Sequence, residues 1–260
     1  MSDASRASHQ EHVLDDEGRA LDNEGRVLDD EGHVLAEVRR ALGRSATVRP
    51  EPLEPFVEAS AEDGAGEAGE ELVARFTFEA SAVGAHVQRA NCVEELAGAV
   101  ARVCADSGVK EVALSGATLF AESGLSARLA AHGLSSFAAS DFGADEHDEF
   151  VARLEGCGAG LTAVDYAIAE TGTVALGSDE EGALLVSLLP AIHVAVLKAS
   201  QIVGGLGAAI EKLKAERMAR AEPCRSATFI TGPSRTSDVE LVLSIGVHGP
   251  KELHLIILGE

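Results

Sequence analysis

The residues best suited to chemistry lie in two short polar stretches set among apolar ones. The first, Thr231-Gly232-Pro233-Ser234-Arg235-Thr236-Ser237-Asp238-Val239-Glu240, follows the apolar run Ala227–Ile230. The Arg235 guanidinium is a planar fork that matches a carboxylate or a phosphate. Gly232-Pro233 signals a turn. Ser237 and Glu240 have the spacing of a capping box, so a short helix is expected to start there, with Gly246 and Gly249-Pro250 ending it. Its free N–H groups and dipole would favour an anion. The candidate binding residues are therefore Gly232, Ser234, Arg235, Thr236 and Asp238, although Asp238 and Glu240 would serve equally well as caps alone. The second stretch is Glu170-Thr171-Gly172, placed between the apolar runs Ala163–Ala169 and Thr173–Leu176. There Glu170 is a candidate general base or orienting carboxylate, and Thr171 and Gly172 are candidate binding residues. His248, inside Gly246-Val247-His248-Gly249-Pro250, is the second candidate for proton handling. Each feature also has a plainer reading. Arg235 could pair with a neighbouring carboxylate, Glu170 could sit in solvent, and His248 could be a core histidine bonded to backbone.

Elements that would position these residues can be read from the apolar pattern. Ala227–Ile230, Ile192–Leu197, Leu253–Leu258 and Glu111–Leu114 read as buried strands. Ala163–Ala169 and Thr173–Leu176 form a hairpin or a sharp kink, with Gly172 supplying an unusual backbone angle. Asn91 is placed to cap a helix over Val93–Ala105, whose apolar residues share one face, and Ser107-Gly108 ends it. Further helices are expected over Leu125–His132, around Phe150–Leu154, and over Ile202–Met218 with Leu206, Ile210 and Leu213 inward. Leu72–Phe78 is a strand or the end of a helix, and Val83–Val87 is a further strand. Alternating strands and helices favour an α/β domain with a mainly parallel sheet and helices on its faces.

Composition bounds the partners. In 260 residues the hydrophobic fraction is 46% but aromatics are only 3%, so the core must be Ala, Val and Leu. A net charge of −22 argues against nucleic acid and anionic membrane. Cys92, Cys104, Cys157 and Cys224 form no metal- or cluster-binding spacing, so no metal site is expected and the thiols read as buried and reduced. The first residues carry no apolar leader and no stretch is long enough to span a bilayer, which predicts a cytoplasmic chain. Gly204-Gly205-Leu206-Gly207 lacks the spacing of a dinucleotide fingerprint, so any hydride acceptor would lie elsewhere.

The N-terminal part differs. Residues 1–33 contain seven-residue repeats, Leu-Asp-Asp-Glu-Gly-Arg-Ala and its variants, marked by Leu14, Leu21 and Leu28. A glycine in each unit and a single apolar doublet oppose a coiled coil, so a low-complexity expansion, disordered or weakly helical, is expected. Residues 34–43 read as a short helix stopped by Gly43, 44–70 as an acidic linker, and 71–260 as the globular domain.

Three segments taken together are more specific than any alone. Asp165–Val174, Thr231–Glu240 and Gly246–Pro250, with a strand ending in Leu188-Leu189-Pro190, resemble the lactate utilization protein C family, the LUD domain. The resemblance covers about Val34 to the C-terminus; the repeats and the acidic linker depart from it. It implies a three-layer α/β/α fold like that of sugar-phosphate isomerases and CoA transferases (NagB/RpiA-like). It also implies a non-redox subunit of a system oxidising L-lactate to pyruvate in a bacterial cytoplasm, with iron–sulfur clusters on partner proteins and no cofactor in this chain. Arg235 would then clamp a small carboxylate, and His248 or Glu170 would handle the hydroxyl proton. The alternatives are a stand-alone isomerase- or CoA-transferase-like enzyme on a small anion, with Glu170 as base or nucleophile, and a purely structural partner.

Overall fold

The longest buried apolar runs of the chain become the centre of one open sheet. In a computed structural model, residues 69–177, 182–219, 226–237 and 243–259 are described; the repeats, the 34–43 helix, nearly all of the acidic linker, Asp238, Glu240 and Cys224 fall outside them. Helix α1 (Gly69–Ala82) leads into β1 (His86–Ala90), and α2 (Val93–Asp106) into β2 (Glu111–Leu114). Helices α3 (Thr118–Glu122) and α4 (Leu125–Ala131) precede β3 (Ser135–Ala138), and α5 (His147–Gly156) precedes β4 (Ala159–Ala163). Strands β5 (Tyr166–Ile168) and β6 (Thr173–Gly177) come next, then α6 (Ala183–Leu188), β7 (Ile192–Lys198), β8 (Ile202–Val203) and α7 (Leu206–Ala219). The chain ends with β9 (Ala227–Ile230), β10 (Arg235–Ser237), β11 (Leu243–Ile245) and β12 (Glu252–Leu258).

Six strands pair in parallel in the order β1-β12-β7-β4-β2-β3. Their side chains alternate between faces, as the two-residue period requires. Val112, Leu161, Val194 and Ile256 pack with Leu96, Val100 and Leu129 of α2 and α4 on one face. On the other face Ala195, Leu197 and Leu255 meet Val73 and Phe76 of α1, while Ala113 and Phe137 meet Phe150 of α5 and Val186 of α6. Burial on both faces explains why the central strands read as continuous apolar runs. A second sheet, β8-β5-β6-β9, covers the α1 side. The fold is α/β with a mainly parallel sheet flanked by helices, as expected.

Several local expectations are corrected. Ser237, the expected start of the capping-box helix, and Leu243–Ile245, its expected end, are strand instead: Arg235–Ser237 is β10, paired antiparallel with Leu243–Ile245 in a two-stranded ribbon, and residues 238–242 lie outside the described ones. Pairing to a partner a few residues on overrides a capping signal that is only local. The run ending in Leu188-Leu189-Pro190 is helix α6 instead of a strand. Of the two readings of Leu72–Phe78 the helical one holds, and the strand expected at Val83–Val87 begins at His86, because Val83-Gly84 closes the end of α1 with Gly84 at φ 92°. Asn91 does not cap α2. The cap position is Cys92, and Asn91 donates to Glu95 instead, from its backbone N and from Nδ2, each at 2.8 Å. Ile202–Val203 is a strand, so the helix starts only at Leu206, after Gly204-Gly205. Its inward face is Ala209 and Leu213, whereas Leu206 and Ile210 are each 47% exposed. Strand β9 lies at a sheet edge instead of in the core, with Phe229 40% exposed.

Candidate anion site at the end of helix α1

The turn that closes α1 organises both polar stretches. Val83 and Gly84 complete the helix end, with Val83 N donating to Glu79 O at 3.2 Å and Gly84 N to Ser81 O at 3.0 Å. The Val83 carbonyl accepts a hydrogen bond from Arg235 Nη2. A guanidinium at the last carbonyls of a helix also meets the negative end of its dipole. Gly232, at φ 71°, comes so close that a Cβ would stand 2.5 Å from the same carbonyl oxygen. Gly172, at φ 64°, packs from the other stretch onto the last turn of α1, where a Cβ would overlap the Ala80 backbone. Only glycine fits both positions.

Gly232, Ser234, Arg235 and His248 line one cavity of about 370 Å³. Ser234 is held at its mouth by backbone bonds, its N donating to Pro250 O at 2.9 Å and its carbonyl accepting from Gly246 N at 3.0 Å. Arg235 and His248 are exposed. Among the described residues no carboxylate lies within ion-pair distance of Arg235, and the Val83 carbonyl occupies one of the five donors that its fork offers. Thr171 connects to this cavity through hydroxyls. Its Oγ1 lies 2.7 Å from Thr173 Oγ1, which lies 2.7 Å from Oγ1 of Thr231, a lining residue. Glu170 does not line the cavity: it sits exposed in the β5–β6 turn, with its backbone N donating to Gly204 O at 3.0 Å. Thr236 belongs to β10, opposite Ser244, and Asp238 lies outside the described residues.

Sequence reasoning missed His193 and Thr162. His193, the second residue of β7, is 1% exposed and forms part of the cavity wall. Thr162 Oγ1 on the neighbouring strand β4 lies 2.8 Å from its Nε2, and Nδ1 finds no partner among the described residues. Burial pushes the His193 pKa down to about 3, so the ring stays neutral. The available signal was one polar residue in each of two apolar runs, Leu-Thr-Ala-Val and Ile-His-Val-Ala-Val. The cavity therefore offers a guanidinium, the hydroxyl residues Ser187, Thr228, Thr231 and Ser234, an accessible imidazole and a neutral buried one, a donor set suited to a small anion. Among the described residues no three His, Cys, Asp or Glu side chains converge as a metal site, and none of the helices there is long and apolar enough to cross a membrane. Cys104 and Cys157 are buried, and Cys92 is exposed. Burial raises both buried thiols, Cys104 to about 11.

Such a sheet, mainly parallel and flanked by helices on both faces, defines an open α/β domain. The LUD domain family matches residues 73–258, and the chain belongs to that family. It is 30% identical over 195 residues to lactate utilization protein C 1 of Bacillus mycoides, covering 75% of this chain and 82% of that protein. It is 38% identical over 109 residues to lactate utilization protein C of Deinococcus radiodurans, but that match spans only 50% of the relative's length. A crystal structure of a DUF162 family protein from Deinococcus radiodurans shares the fold at a TM-score of 0.50 and 23% identity, over 74% of this chain and 99% of that one.

Proposed function

We propose that this protein is a non-redox component of a bacterial lactate-utilisation system that holds a small carboxylate in the cavity lined by Ser234, Arg235 and His248. The relatives named lactate utilization protein C support the system. The observation that carries the ligand class is the exposed Arg235 guanidinium, with no carboxylate partner among the described residues, beside the Thr231 and Ser234 hydroxyls. Arg235 binds the carboxylate, and His248 takes the hydroxyl proton when a 2-hydroxy acid is oxidised. The second proton and the two electrons leave to iron–sulfur partner proteins in the cytoplasm, since the four cysteines of this sequence lack the spacing of a cluster motif. Glu170 stands outside the cavity and is given no step.

An anaerobic pull-down from the native cells tests the assembly. Co-purified iron with lactate-dependent dye reduction supports it, and a colourless, solitary protein counts against it. Calorimetric titration of the purified chain with L-lactate tests the ligand separately. The Arg235–Val83 hydrogen bond favours a second reading, in which Arg235 only fastens the hairpin to α1 and the protein is a structural partner. Under that reading Arg235→Ala lowers stability and leaves no lactate affinity to lose.

A further inference from the structure

The cavity described above opens at the amino ends of the parallel strands, since His193 and Leu253 are each the second residue of their strand. The carboxyl ends lie at the opposite edge, and there a second cavity of about 390 Å³ opens between β2 and β3. These strands are neighbours paired from Glu111↔Ser135 to Leu114↔Ala138. Beyond Leu114 the chain turns into α3 and α4, which pack on the α2 side of the sheet. Beyond Ala138 it turns into α5, which packs on the opposite side. Adjacent strands whose connections leave toward opposite faces open a crevice at their carboxyl ends, and open α/β sheets place small ligands there. The volume falls in the usual range for small-molecule pockets, roughly 300–1,000 Å³.

The chemistry of the wall restricts the ligand. Ser115, Ser136, Ser140 and Asp141 line the cavity, with Phe120 and Phe137 as its apolar part. No Lys, Arg or His lines it. The nearby cations are engaged elsewhere: Arg153 bonds Glu111 at 2.7 Å and covers Phe137, its guanidinium carbon 4.3 Å from the ring centroid, and Arg128 donates to Ser123 O at 2.6 Å. A phosphate or carboxylate would meet the Asp141 carboxylate, and Arg153, the cation within electrostatic reach of Asp141, is already paired with Glu111, in a chain of net charge −22. Asp141 is itself fixed, because its Oδ2 accepts from Ala138 N at 2.8 Å. Hydroxyls that both donate and accept, a carboxylate that accepts, and apolar carbon surface match a compound carrying several hydroxyls on a carbon frame. The geometry points to a second ligand site at the β2–β3 carboxyl ends that takes an uncharged polyhydroxylated molecule.

The inference does not depend on the carboxylate site at the other edge. Saturation-transfer NMR on the full chain, with D-ribose, D-glucose, D-fructose and glycerol as uncharged probes and L-lactate and inorganic phosphate as anions, tests it. At least one uncharged probe is expected to receive saturation. Ala121→Trp, at an exposed position on the cavity wall, is expected to abolish that transfer with an unchanged melting temperature. Ser140→Ala is expected to weaken affinity about tenfold, the usual order for one lost hydrogen-bonding partner. Should Ala121→Trp lower the melting temperature, Ser140→Trp at the exposed mouth carries the same test. Transfer to none of the uncharged probes, transfer that survives the blocking variant, or displacement of the sugar by phosphate overturns the inference.

Discussion

Thr162 and His193 face each other across the parallel pair β4–β7, Oγ1 to Nε2 at 2.8 Å, with both side chains out of solvent. The pair joins the centre of the sheet to the wall of the cavity lined by Arg235 and His248. Replacing Thr162 with Val keeps the shape but leaves a buried ring nitrogen without its partner, at a cost of about 1–3 kcal/mol. Urea unfolding is expected to show a lower midpoint with an unchanged slope. A midpoint within error of wild type would mean that the hydrogen bond contributes nothing.

The same histidine makes stability depend on pH. Its folded pKa of about 3 lies below the ordinary 6.5, so the unfolded chain binds the proton more readily. Stability is complete above about pH 6.5 and is lost as pH falls toward 3, with a slope approaching 1.4 kcal/mol per pH unit for one proton. Between pH 6.5 and pH 5, before most carboxylates titrate, His193→Asn is expected to flatten the curve of unfolding free energy against pH. An unaltered slope would show that the ring does not stay neutral in the folded protein.

Gly172 tests the contact between the second polar stretch and α1. Alanine there must adopt φ near 64° and intrude on the Ala80 backbone. Left-handed strain alone costs about 1–3 kcal/mol, and overlap in a packed region adds a similar amount. Gly172→Ala is expected to lower the urea midpoint clearly, whereas Glu170→Ala, two residues earlier at an exposed position, is expected to stay within about 0.5 kcal/mol. Equal effects would remove the argument for close packing.

Arg235 separates a ligand role from a structural one. Losing the bond to the Val83 carbonyl costs about 1 kcal/mol of stability in Arg235→Ala. If the fork also holds a carboxylate, lactate affinity falls at least about tenfold, and Arg235→Lys restores it only in part because the planar fork is lost. Calorimetric titration and thermal unfolding of both variants read the two effects apart.

On α7 the exposed and buried residues should respond differently. Leu206→Lys and Ile210→Lys change stability by less than about 0.5 kcal/mol, since both side chains are about half in solvent. Leu213→Ala costs about 2–5 kcal/mol, the usual range for emptying a core leucine site. Comparable losses at all three positions would put the inward face where the sequence pattern had placed it.

The sequence by itself determined the class of fold and most of the central sheet. Glu111–Leu114, Ile192–Lys198 and Glu252–Leu258 are runs buried on both faces, and such strands are written in composition alone. Helix Val93–Asp106 was equally legible, because its apolar face repeats over several turns. Its polar motifs also marked Gly232, Ser234, Arg235 and His248, which share one cavity. Tertiary structure alone decided what those motifs do. Ser237 begins a helix-start spacing, but it pairs in a ribbon with Leu243, because a strand partner is a non-local gain that no short window contains. Glu170 and His248 were alternative candidates for the same proton, yet a turn exposes Glu170 outside the cavity that His248 lines. His193 was hidden inside an apolar run and gains its meaning only from Thr162, which is distant in sequence and adjacent in the sheet. Contacts between distant residues are set by sheet order and register, and these emerge only when the whole chain has packed.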